Sequence, residues 1–290
     1  MIIQDLQALK RVEQAQIISE TIEYMIACKA TYYETVAAEN ELARMLRGPV
    51  RQIGQQVINK LMEKGRVPKG DVFLKQIMQY MDKHKPEMKN LLVDSVQRAA
   101  ERGAEGTVRD AQMAGIDVRF EKLNPEVKRR LANQVFTASD STLGRIKGDL
   151  MEGLRQAYDK GLGIDDAVSL MRDKFGQFED YELSRIARTE INSAQNTASH
   201  DKIKELTNYE QWWTAEDEWV RSSHQMVHGE IVRVGDTFSN GLKHPGDKSG
   251  PIEEWVNCRC RPLPFIIPRG MMAPPGKVRF FEDDLIPIGA

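Results

Sequence analysis

The sequence predicts a mainly α N-terminal region followed by a small α+β C-terminal module, with antiparallel strands packed on the last long helix. Two observations predict it. Before about residue 206 the chain is rich in Ala, Glu, Gln, Lys, Leu and Met, with apolar residues recurring at helical spacing. Beyond it lie all four tryptophans and eight of the twelve prolines, in short aromatic and β-branched runs bounded by Gly, Pro, Asn and Asp. The expected divisions are a helical region for partner docking at 1–177, a compact module at 178–267 and an extended tail at 268–290.

Taken in order, Ala15, Ile18, Ile22, Met25, Ile26 and Tyr33 trace one stripe of a long first helix, interrupted by Lys29. Pro49 and Gly54 predict its end before "RGPVRQIG", and "KGRVPKGD" predicts a second break. Pro86 is expected at the first position of a helix running to about Met113. Asn124 and Pro125 form a cap and first position for the next, and another helix is expected from Ser139 or Asp140. "KGLGIDD" separates that from a short helix, and "FGQFED" introduces the last, from about Asp180 to Glu205. Strands are expected in "YEQWWTA", "GEIVRVGDTF" and "EWVNCRCRPL", with "SNGLKHPGDKSGP" a loop. The tail from Pro268 holds too much Pro and Gly for regular structure unless it lies on a partner or on its own domain.

Composition removes several classes of function. With 41 Lys and Arg against 43 Asp and Glu, the chain is not a globally basic nucleic-acid binder. Three cysteines, two of them in Cys-x-Cys, do not make a disulfide framework. Charged residues from Asp5 to Glu23 stand where an export signal would need an apolar core, and no stretch is apolar enough to suggest a membrane span, so an intracellular product with reduced thiols is expected. There is no P-loop, G-x-G-x-x-G, serine elbow or H-E-x-x-H.

The polar residues of interest surround the last helix. Leu183, Ile186, Ala187, Ala194 and Ala198 share one face, and Glu190 falls in its middle; Arg185, Arg188, Asn192 and Asn196 form the other side. A carboxylate on a buried stripe needs a partner, and Arg221 leads the candidates, ahead of His224, Arg259 and Arg261. A structural tie to the following module is the preferred role for Glu190, ahead of a catalytic one. In a strand, Cys258 and Cys260 face one way and Arg259 and Arg261 the other; burying the thiols turns Arg259 towards Asp217 or solvent. The two thiols should then pack near Trp255, Trp212 and Trp213. No cofactor is expected, because the usual Cys-x-x-Cys spacing is missing. The alternative is a structural zinc on His224, Cys258 and Cys260, with a fourth ligand from His228, His244 or water.

In order along the chain, "RIARTEINSAQN", "WWTAEDEWVRSSHQMVHGEIVRVGDTF", "HPGD" and "VNCRCRPLPF" resemble the C-terminal domain of phage minor head proteins, the phage Mu F-like head-morphogenesis family. The matching positions are Arg188, Thr189, Glu190, Asn196, Trp213, Asp217, Arg221, Ser223, His224, Gly229, Asn257, Cys258, Arg259 and Cys260, over about residues 178–265. The resemblance implies a low-copy structural and assembly component of a phage capsid, located in the virion near the portal vertex and assembled in the host cytoplasm. It implies action in head morphogenesis, with DNA packaging or ejection as further roles. Its expected partners are the portal protein and other capsid components, with DNA a further candidate, no membrane, and self-association through the first helix. No enzyme is expected; the alternative is a metal-assisted hydrolase or transferase using Glu190, His224, Cys258 and Cys260.

Overall fold

A computed structural model describes the backbone of residues 2–68 and 71–289, and side chains over 32–289 except at 69–72, 74 and 136–139. Four helices come first: α1 (Ile2–Lys64), α2 (Asp71–Met113), α3 (Pro125–Asp159) and α4 (Ile164–Gln177). A π-helical turn at Phe178–Glu182 leads into α5 (Leu183–Leu206). The module follows as β1 (Tyr209–Trp213), a helical turn α6 (Ser222–Gln225), β2 (Ile231–Arg233), a second turn α7 (Ile252–Trp255) and β3 (Arg261–Phe265). The short strands β4 (Met271–Met272), β5 (Arg279–Phe280) and β6 (Ile286–Pro287) complete the chain.

The fold class is the expected one, but the helices are fewer and longer. α1 continues through Pro49 and Gly54 instead of ending before Arg47. A proline inside a helix costs about 3 kcal/mol. Against that, Leu42, Leu46, Val50, Ile53, Val57 and Leu61 form a fully buried stripe at helical spacing on both sides of it. Burying each such side chain stabilises by about 1.5–3 kcal/mol, so packing outweighs the local penalty. Gly54 sits under the Phe175 ring of α4, where an added Cβ would lie 3.1 Å from the ring. Pro86 likewise falls within α2, between the buried Met81 and Met88. The helix expected to start at Ser139 or Asp140 is the second half of α3, which starts at Pro125 with Asn124 Oδ1 accepting from Glu126 N at 2.8 Å. Of the apolar stripe on the first helix, Ala15, Ile18, Ile22, Met25 and Ile26 lie outside the residues whose side chains are described, and Tyr33 is exposed.

One apolar core joins α1 to α5 and includes Leu183, Ile186, Ala187, Ile191, Ala194 and Ala198. α5 has no solvent side over 189–200, contrary to the polar face read from the sequence; Asn192 and Asn196 are also buried. The reason is position. Helices cover one side of α5 and the module covers the other.

The module's sheet has the order β3-β1-β2-β5, all antiparallel, with Trp213 opposite Arg261 and Tyr209 opposite Arg233. β4 and β6 pair separately. The segment beyond Pro268 therefore lies on its own domain, with Phe280 of β5 buried against Ile231 of β2. "EWVNCRCRPL" is not one strand as expected. Its first part is α7, residues 256–260 are irregular with Asn257 at φ +59°, and pairing begins only at Arg261.

Candidate functional site

The site is the seam between α5 and the module. Its backbone is irregular because the module's peptide groups bond to side chains of α5. Asn257 N donates to Thr189 Oγ1 at 3.0 Å, and Arg188 donates to Asn257 Oδ1 at 2.9 Å. Asn196 Nδ2 donates to the Cys260 carbonyl at 2.7 Å, and Ser193 Oγ to the Gly246 carbonyl at 2.8 Å. Two arginines extend the seam to the other helices. Arg188 Nε is 3.2 Å from Glu39 on α1, and Arg261 is 2.6 Å from Asp110 on α2. Burial raises both carboxyls above the ordinary range, and the facing guanidinium opposes the rise in each case.

Glu190 is buried, as its place on the helix predicts, but its partner is Lys248 Nζ at 2.7 Å, in the loop before α7. Arg221, the expected partner, instead donates to the Val256 carbonyl. Lys248 also lies over the Trp255 ring. This pair lines a cleft of about 850 Å³ between α3, α5 and the 243–256 segment. Arg130, Arg145 and Arg185 also line the cleft, and each has a carboxylate partner: Asp201 for Arg130, and Glu182 for the other two.

Cys258 and Cys260 are both free, buried and on the same side, as expected, although no strand holds them there. Trp212 packs with them in a small apolar cluster with Val227, Val232, Phe238 and Leu242. Trp213 and Trp255 do not belong to that cluster: Trp213 packs on His228, and Trp255 donates to the Gly250 carbonyl. Arg259 turns away from the thiols and pairs with Asp217 at 2.6 Å.

His224 completes the group around the thiols. Its Nδ1 is 3.3 Å from Cys260 Sγ and 3.7 Å from Cys258 Sγ, and its Nε2 is 3.0 Å from Glu254 Oε2. Its ring makes a T-shaped contact with Trp212, with centroids 5.0 Å apart. Ser223 Oγ donates to the same Glu254 oxygen at 2.9 Å. Gly229, at φ +80°, donates its N–H to the Trp212 carbonyl at 2.8 Å and so turns the chain after α6 back onto β1. The other two candidate ligands are elsewhere. His228 Nδ1 is 2.8 Å from Thr214 Oγ1, and His244 stacks at 4.8 Å on His200.

Besides Lys248, Ser193, Glu39 and Asp110, two participants were not singled out from the sequence. Glu254 had a signal, since the acidic pair Glu253–Glu254 stands just before Cys258. The second is a buried dyad, His200 Nδ1 to Glu210 Oε2 at 2.7 Å, formed across the turn from α5 to β1. Nothing local marks it.

Residues 149–263 match the model of the family described as Phage Mu protein F like protein. This segment belongs to the phage Mu F-like family. The match is confined to this segment. The Mu F-like segment contains α4, α5 and the sheet as far as Leu263, and with them all the signature residues from Arg188 to Cys260. Glu39 and Asp110, the partners of two of its arginines, lie outside it on α1 and α2. No curated protein and no solved structure matches the chain.

Proposed function

We propose that this chain is a minor head protein, a structural and assembly component at the portal vertex of a phage capsid that acts in head morphogenesis. One observation carries the reading. The signature residues of the Mu F-like segment bond to one another and to the helical body: Arg188 and Thr189 to Asn257, Asn196 to Cys260, Arg259 to Asp217 and Arg188 to Glu39 of α1. That use of polar residues holds a compact module rigidly on a long helical body, as a docking part in an assembly requires. The hydrolase or transferase alternative draws less support, because Glu190 is held by Lys248 and is not part of the group formed by His224, Cys258 and Cys260.

Portal protein and capsid components are the proposed partners. DNA is favoured less, because the local basic clusters "RGPVRQ" and "EVKRR" already have carboxylate partners: Arg47 with Asp180, Arg51 with Glu179 and Arg129 with Glu126. No helix among the described residues is long and apolar enough to cross a membrane. Co-purification with a portal protein tests the reading. Among the residues whose side chains are described, α1 contributes to the core from Ala38 onward, so a deletion that probes docking has to stop short of it. Removing residues 1–31 should abolish co-purification while the helices from residue 32 onward and the module stay folded, and an undiminished yield of complex would count against docking through this helix.

A further inference from the structure

The ring of His224 stands between two sulfurs and a carboxylate, and each contact has a direction. Its Nε2 faces Glu254 at 3.0 Å. A neutral ring whose Nε2–H donates to that carboxylate keeps its lone pair on Nδ1. Nδ1 is the atom 3.3 Å from Cys260 Sγ and 3.7 Å from Cys258 Sγ. A tetrahedral zinc with bonds of about 2.3 Å to sulfur and about 2.05 Å to nitrogen sets N···S edges of about 3.6 Å. The two observed separations bracket that edge. All three ligand atoms lie within 4.8 Å of one another, which accommodates the S···S edge of about 3.8 Å that the same bonds imply.

We propose that His224, Cys258 and Cys260 bind one zinc ion, with Glu254 as the outer carboxylate that orients the His224 ring. The donor set is soft, two thiols and an imidazole, which selects zinc over magnesium or calcium. Carboxylate–histidine–zinc relays of this kind fix the ring and raise its basicity, and Ser223 in turn anchors the carboxylate. Other uses of the cluster fit less well. A disulfide across one intervening residue is badly strained, and both thiols are free. A nucleophile needs access, while Cys258 and Cys260 are 1% and 2% exposed. Without a metal, the lone pair on Nδ1 accepts from one thiol at a time.

The proposal departs from the expectation drawn from the missing Cys-x-x-Cys spacing. The irregular backbone at 256–260 turns both sulfurs inward, so this loop does what the longer spacing does elsewhere. Among the described residues no further His, Cys, Asp or Glu joins the group, which leaves the fourth position of the tetrahedron open to a water. The ion ties α6 to the segment before β3, across the small cluster around Trp212.

The test uses the full chain, stripped of metal with a chelator and titrated with zinc. Wild type should take up about one equivalent, and Cys260→Ser should take up none. Cobalt in place of zinc should give thiolate-to-metal charge-transfer absorption in wild type and not in Cys260→Ser. Glu254→Gln, which leaves all three ligands in place, should weaken zinc binding by about 10–100-fold with circular dichroism unchanged, and it serves if the cysteine variant fails to fold. Failure of wild type to bind zinc at saturating concentration overturns the proposal. So does binding by Cys260→Ser as tight as wild type, and equal affinity in Glu254→Gln removes the role given to Glu254.

Discussion

Asn196, in the middle of α5, donates from its side-chain amide to the main-chain carbonyl of Cys260, 2.7 Å away in the irregular segment before β3. Both residues are buried, so water cannot replace the bond. Asn196→Ala leaves that carbonyl unsatisfied and should cost about 1–3 kcal/mol in chemical denaturation. Asn196→Asp, which sets an acceptor against an acceptor, should cost more. An aspartate variant as stable as wild type would show that the bond contributes nothing.

The Glu190–Lys248 pair is mostly out of solvent, with side-chain exposures of 8% and 17%. Removing one partner strands the other charge, so Glu190→Gln and Lys248→Met should each cost roughly 3 kcal/mol. The double variant should cost clearly less than the sum, because it strands neither. Strict additivity in that double-mutant cycle would mean the two charges do not interact.

Gly103 of α2 lies against the backbone of α5, where an added Cβ would fall 2.2 Å from the Gln195 carbonyl oxygen. Its own carbonyl accepts from Ser199 Oγ at 2.9 Å. Gly103→Ala has to push two helices apart, with backbone on both sides of the contact. We expect a loss of about 3 kcal/mol, the upper part of the range for overpacking, despite the gain in helix propensity. Thermal melting of the variant reads it directly.

The His200–Glu210 dyad predicts a pH dependence. Burial, the main cause in both, pushes His200 from 6.5 down to about 4 and Glu210 from 4.5 up to about 8. His244, Lys204, Asp201, Asp247 and Arg130 face the dyad and adjust these values. Between about 4 and 8 the folded pair holds one proton. The unfolded pair holds none above 6.5 and two below 4.5. Stability therefore falls as pH rises from 6.5 to about 8, by up to about 2 kcal/mol, and falls again in the narrow window between 4.5 and about 4. Glu210→Gln should flatten the alkaline decline in denaturation measured at pH 6 and at pH 8.5 (both about one half-unit outside that window). An equal decline in both proteins would place the titration elsewhere.

The fold class was legible because composition changes at one place in the chain, where the tryptophans and prolines begin. Helix ends at Pro49 and Pro86 were not, because proline is a local signal and the buried stripes around it form only when α2, α4 and α5 arrive. The burial of Glu190 followed from helical periodicity, but its partner did not. Lys248 sits in a stretch that reads only as turn formers, and how a loop folds back is decided by contacts far away in sequence. Alternation placed Cys258 and Cys260 together, yet a different geometry does so in the structure, because Thr189, Arg188 and Asn196 draw the backbone at 257–260 out of the strand.

Every tryptophan of the chain lies in the module, at 212, 213, 219 and 255, while the long helices have none. The two halves of the molecule therefore carry separate optical labels. Indole fluorescence follows the module, with Trp212 against His224 and the thiols, and far-ultraviolet dichroism follows α1 to α5. Followed by both signals in one denaturant series, the seam along α5 should make the curves superimpose. A variant that loosens the seam should separate them, with the fluorescence change at the lower denaturant concentration.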